Sequence, residues 1–172
     1  MLDLLMNRRS IRKYKDQELS KEIIDKIIQA ALTAPSGRNK KPWELVVVTD
    51  KEILTKLGNA RGPASWPMKN APLGFVILAD PEVTDLWIED SSILATVIQL
   101  TAQSLGLGSC WLQVRERLSE DGKEVEENVK EILSIPNNYR VEAMISIGYP
   151  DEKKEAHKIE TLKFDKVHYN KF

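Results

Sequence analysis

Leu105-Gly106-Leu107-Gly108-Ser109-Cys110-Trp111 holds two closely spaced glycines, and what flanks them separates two architectures. Before them, Ile93, Leu94, Val97, Ile98, Thr101, Ala102 and Leu105 recur at helical spacing. That periodicity predicts a core helix from about Trp87 to Leu105, with Gly106 as its C-terminal cap. After them, Ser109 to Val114 predicts a strand. A dinucleotide-binding turn runs the other way, from strand into helix, and carries a third glycine. No phosphate loop ending in Gly-Lys-Ser/Thr is present. Gly106 and Gly108 are therefore read as a helix stop and a tight turn.

The remaining elements follow the same logic. Leu2 to Met6 can form one or two helical turns. Ser20 is a good N-cap for a helix from Lys21 to Thr33, whose apolar face is Ile23, Ile24, Ile27, Ile28 and Ala31. Leu45 to Thr49 predicts a strand, and Asp50 caps a short helix over Lys51 to Gly58. A Gly/Pro-rich connection from Gly58 to Pro72 is long enough to be functional or mobile. Phe75 to Ala79 predicts a buried strand. Glu124 to Leu133 predicts a charged helix that stops before Pro136, and Val141 to Ile147 the last strong strand. Helices and strands alternate only loosely. The fold class is thus α+β, one sheet packed by helices, in one domain spanning 1–172.

Bulk properties exclude several functions. Hydrophobic residues make up 42% of the 172, so the chain can bury a core. Lys and Arg number 25 against 26 Asp and Glu, a net charge of -1. That balance argues against nucleic acid as a partner. The longest apolar run, Pro72 to Ala79, is too short to cross a bilayer. The N-terminus is apolar and then basic, the reverse of a secretory signal, which points to the cytoplasm. Cys110 is the only cysteine and is read as a buried, inert thiol. His157 and His168 both lie in the polar tail, and no metal-binding spacing occurs, so no metal site is expected.

Three polar segments remain. Five of the nine residues in Asn7-Arg8-Arg9-Ser10-Ile11-Arg12-Lys13-Tyr14-Lys15 are cationic, while Ile11 and Tyr14 are spaced to turn inward. A hydroxyl and several guanidinium groups at an anchored point suit a bound phosphate, although a basic surface turn has the same composition. The second segment is Pro35-Ser36-Gly37-Arg38-Asn39, before Pro42-Trp43. The third runs from Leu105 through Trp111 to Leu112-Gln113-Val114. The tail, 151–172, is rich in Lys and Glu yet keeps Phe164, Val167, Tyr169 and Phe172. Those residues predict docking, on this subunit or on a partner.

Together these segments resemble the nitroreductase family of flavin enzymes. Its pattern is matched, in order, by Arg8-Arg9-Ser10-Ile11-Arg12-Lys13-Tyr14, Pro35 to Trp43, Ala71-Pro72, Gly106 to Trp111, Gly148-Tyr149-Pro150 and Val167-His168-Tyr169. The resemblance implies a mostly antiparallel central sheet flanked by helices, with the C-terminal tail exchanged between subunits. It implies a homodimer with FMN at the interface and NAD(P)H as co-substrate. Arg8, Arg9 and Ser10 would hold the phosphate and ribityl chain, and Arg12 would lie near the pyrimidine edge. Pro35, Ser36, Gly37 and Asn39 would come from the other subunit. Trp111 and Leu112, with backbone N–H groups near Gln113 and Val114, would face the ring at N5, and Lys163 or Lys158 would reach the phosphate in place of a tail arginine, if that contact is kept. No side chain need act as acid or base, because the flavin carries the chemistry. The implied reaction takes hydride from NAD(P)H and reduces a nitroaromatic, a quinone or a similar acceptor by a ping-pong mechanism. Dehalogenation, dehydrogenation and flavin fragmentation are alternatives on this fold, and a non-redox anion- or nucleotide-binding module is a third reading. This chain departs from the pattern at Lys41, where glutamine is usual, and at Gln113-Val114, where glutamate and glycine are common.

Overall fold

The structure is a computed structural model describing residues 1–172. Its sheet has four strands, β1 (Trp43–Val48), β2 (Leu73–Ala79), β3 (Gly108–Gln113) and β4 (Arg140–Gly148). Their order is β1-β2-β4-β3, and every neighbouring pair is antiparallel. The two central strands are buried along almost their whole length because helices cover both faces. Such strands need not alternate polar and apolar residues, which explains the continuous Leu73–Ala79 run.

On one face, Leu73, Phe75, Ile77, Ile145 and Ile147 meet α2 (Lys21–Leu32) and α5 (Trp87–Ser104) through Ile27, Ala31, Leu94, Ala95, Ile98 and Ala102. On the other, Val76, Leu78, Cys110, Leu112 and Met144 meet α3 (Lys51–Asn59), α4 (Trp66–Lys69) and α6 (Val125–Leu133). Period-two side-chain alternation thus feeds two separate cores from one sheet. The predicted caps are present. Ser20 Oγ accepts from the Ile23 N–H, Asp50 Oδ1 accepts from the Ile53 N–H, and Gly106 adopts φ +76° after α5.

One expectation needs correction here. Gly58 to Pro72 is not an open connection but a 3-10 turn (Gly62–Ser65) followed by α4. Ser65 Oγ donates to the Gly58 carbonyl, and a Cβ on Gly58 would lie 2.6 Å from Lys69 Cβ, so the segment folds back on itself. Arg38 to Lys41, a polar loop by its sequence, is likewise ordered. Residues 37–39 form a 3-10 turn, with Arg38, Asn39 and Lys41 at positive φ.

A buried ion cluster that the sequence does not reveal joins α6 to β4. Glu126, only 5% exposed, accepts from Arg140 Nε (2.8 Å) and Nη2 (2.9 Å) and from the Val141 N–H (2.9 Å), with Lys130 Nζ at 3.4 Å. Burial alone would raise its pKa, but the hydrogen bonds from Arg140 and Val141 outweigh it and hold the carboxyl below its usual value. A depressed folded-state pKa stabilises the protein above the unfolded value, about 4.3, and that contribution is lost as pH falls through the folded pKa. Glu126→Gln is therefore expected to cost about 1–3 kcal/mol at pH 7, because the partly exposed Arg140 can be solvated once its charge partner is gone. The difference from wild type should shrink below about pH 4. Urea melts at the two pH values check this; an equal cost at both would contradict it.

Candidate functional site

The basic cluster follows α1 (Leu2–Asn7), whose C-cap is Arg8. Ser10 bridges Ser109 in parallel fashion, and the Ile11 N–H donates to the Ser109 carbonyl at 2.9 Å. Ile11 seats so closely that a Cβ on Gly108 would lie 2.7 Å from it, which is why that turn position is glycine. Tyr14 completes the anchor. Its buried hydroxyl donates to the Ile11 carbonyl (2.6 Å) and accepts from Ser146 Oγ (2.8 Å). Burial pushes this phenol well above its ordinary pKa, so it stays protonated.

The tail's first half runs back past this cluster. The Lys15 N–H donates to the Tyr149 carbonyl, the Asp151 N–H to the Lys13 carbonyl, and the His157 N–H to the Met6 carbonyl. Glu152 Oε1 accepts from the Arg12 N–H at 2.6 Å, and Arg9 Nη1 donates to the Glu155 carbonyl. Arg9 is thereby engaged within its own chain. Arg8 and Arg12 have no carboxylate within ion-pair distance. Both lie near Cys110, whose thiol burial pushes up in spite of them, so this cysteine stays a neutral core residue.

β3 is an edge strand, and its register fixes which backbone groups face out. The Val114 N–H points to the Glu142 carbonyl in the ladder, and Ser109 points outward to Ile11. Alternation then turns the N–H and C=O of Ser109, Trp111 and Gln113 outward and those of Cys110, Leu112 and Val114 inward. The outward donor at this end of the strand is therefore the Gln113 N–H, a correction to the expectation that Val114 offers one. The Gln113 side chain is already spent: Oε1 accepts from Trp111 Nε1 at 2.8 Å, and Nε2 donates to the Arg115 carbonyl at 3.2 Å. Leu112 and Val114 are buried in the core beneath.

Pro35, Ser36, Gly37 and Asn39 sit elsewhere. The Gly37 N–H donates to Asp90 Oδ1 at 2.8 Å in the first turn of α5, and Ser36 Oγ accepts from the Lys41 N–H at 2.9 Å. These two bonds hold the left-handed residues of the turn in place. The Ser10–Ser109 contact instead follows the far end of α5. At 1.5 Å per residue, the 14 residues from Asp90 to Ser104 carry the chain about 21 Å along the helix axis. One chain therefore brings Arg8, Ser10, Arg12 and the β3 edge together, and sets the Pro35–Asn39 turn apart from them. Lys163 lies in the exposed tail with no ion pair to the cluster.

Sequence reasoning missed Asp90. It is 3% exposed, anchors the turn, and leaves its Oδ2 without a partner. The available signal was a carboxylate one turn before Leu94 on the apolar stripe of α5.

The sequence profile of the Nitroreductase family matches residues 5–64 and 67–149. The chain belongs to the nitroreductase family. Its fold superposes on the solved structure of an FMN-dependent nitroreductase from Clostridium difficile R20291 with a TM-score of 0.97 and 51% identity, covering 100% of both chains. An Archaeoglobus fulgidus protein provisionally named NADH dehydrogenase/NAD(P)H nitroreductase is 36% identical over 176 residues, covering 99% of this chain and 98% of that one. The NADPH:FMN oxidoreductase of Vibrio harveyi, solved with NAD+, gives a TM-score of 0.83 at 25% identity, covering 99% and 77% respectively. This nitroreductase-family chain has no helix long and apolar enough to cross a membrane.

Proposed function

We propose that this chain is an FMN-dependent NAD(P)H oxidoreductase acting as a homodimer, one domain per subunit over 1–172, in the cytoplasm. The observation that carries the reading is the open β3 edge. It presents outward Trp111 and Gln113 backbone groups, with two unpaired guanidinium groups, Arg8 and Arg12, at one end. A ligand with an anionic phosphate and a flat ring with hydrogen-bonding edges fits that donor set. Arg8 and Ser10 bind its phosphate side, Arg12 offsets negative charge at the pyrimidine edge, and the Gln113 N–H donates toward N5. Arg9 supports the site by fastening the tail, and Lys163, carried by that tail, would meet the phosphate of the neighbouring subunit.

The offset of the Pro35–Asn39 turn, about 21 Å along α5, supports a site completed by a second copy. Ile93 on α5, Leu2 and Leu5 on α1, and the apolar tail are all exposed on the single chain, which suits a covered face. Residues 158–172 would dock on the partner subunit, beyond the stretch 151–157 that is tied to its own chain.

FMN, when bound, would supply the hydride chemistry, and the residues named above would hold it with room for a second ligand. NAD(P)H and an acceptor such as a nitroaromatic or quinone use that room in turn, giving ping-pong kinetics. The purified protein is expected to be yellow, to release FMN on heating, and to give parallel double-reciprocal plots with NADH or NADPH and an acceptor. Colourless protein that takes up no FMN would overturn the proposal.

A further inference from the structure

Building on this flavin reading, we propose that Arg61 selects electron acceptors that carry a carboxylate group. Arg61 is half-buried, and its Nη1 lies 3.5 Å from the outward carbonyl of Gln113. That contact is long for a hydrogen bond and easily displaced. No carboxylate lies within ion-pair distance of the guanidinium; the Glu120 carboxylate packs over the neighbouring Gly62. A partly desolvated guanidinium without a counter-ion is poised to accept a planar anion in bidentate fashion.

Its position is fixed by the fold. The Arg61 N–H donates to Ser65 Oγ at 3.0 Å, Ser65 Oγ donates on to the Gly58 carbonyl, and Asn128 Nδ2 donates to the Ala60 carbonyl at 3.1 Å. The backbone is therefore held from three directions while the head group stays available. The same β3 edge carries Arg8 and Arg12 at the Ser109 end and Arg61 at the Gln113 end. The first pair suits the cofactor's phosphate. Arg61 stands at the N5 end, where an acceptor must stack to receive hydride, so a carboxylate on the acceptor would meet it there.

Oxidised, FMN-loaded enzyme is titrated with benzoate and with benzamide while the visible flavin band is followed. Wild type is expected to bind benzoate about tenfold more tightly. Arg61→Gln should bring the ratio to about one, and Arg61→Lys should keep part of the preference. In turnover, Arg61→Gln should raise KM for 4-nitrobenzoate relative to 4-nitrobenzamide without lowering kcat for the amide. FMN content is measured first, so a flavin-free wild type would count against the oxidoreductase reading and be told apart from failure here. An unchanged benzoate-to-benzamide ratio in Arg61→Gln overturns the inference. So does an effect confined to the flavin potential or to the NADPH-to-NADH ratio.

Discussion

Arg8→Ala combined with Arg12→Ala is expected to yield folded but colourless protein. Each guanidinium is unpaired within the chain and stands where Ser10 meets the start of β3. A charge-assisted hydrogen bond contributes about 1.5–3 kcal/mol, so losing two removes about 3–6 kcal/mol. That corresponds to a rise in the FMN Kd of about 10² to 10⁴-fold. Purification at micromolar protein would then strip the cofactor. Arg9→Ala is the informative contrast, because its Nη1 already donates to the Glu155 carbonyl of its own tail. It should loosen the tail yet keep FMN within about tenfold of wild type. The flavin-to-protein absorbance ratio and a fluorescence titration decide the matter. Full FMN occupancy in the double variant would refute the phosphate-side assignment.

The contrast between Arg8 and Arg9 shows what the sequence can and cannot carry. Ile11 and Tyr14 identified the anchored side of the cluster from spacing alone, and both are buried. Adjacent arginines look alike in a sequence. Only the antiparallel return of 149–157 past residues 6–15 shows that one is engaged and the other is not. The same holds for the outward backbone donor at the end of β3. The choice between Gln113 and Val114 depends on which side of β3 bears β4, a non-local fact no local pattern encodes. Elements with a strong local cause were legible: the Ser20 and Asp50 caps, the Gly106 stop and the α5 periodicity. The Gly58–Pro72 segment misled because its glycine and prolines signal turns, whereas its order comes from Ser65 and from Lys69 packed on Gly58. Glu126 and Arg140 are 14 positions apart, and Asp90 and Gly37 are 53 apart. Neither pairing leaves a short-range trace.

Deleting residues 158–172 is expected to convert the proposed dimer to monomer at micromolar concentration and to release FMN with it. The last main-chain tie of the tail to the body of its own chain is the His157 N–H to the Met6 carbonyl, at 2.8 Å. Beyond it the backbone makes only local turns, and Ile159, Leu162, Phe164, Val167, Tyr169 and Phe172 are all exposed. Six large apolar residues in 15 positions are far more than a solvated linker retains. Burying one such side chain is worth about 1.5–3 kcal/mol. Even after the cost of ordering the segment, a surplus equal to two of them corresponds to about a 100-fold change or more in the dimer Kd. Phe164→Ala with Tyr169→Ala should weaken the dimer in the same direction while leaving the chain length intact. Sedimentation velocity across a concentration series reads both, and FMN content should fall in parallel if, as proposed, the Pro35–Asn39 turn completes the site from a second copy. A truncated protein with the wild-type dimer Kd and a full complement of flavin would mean that the tail docks nowhere that matters, and that the exposed faces of α1 and α5 hold the subunits together unaided.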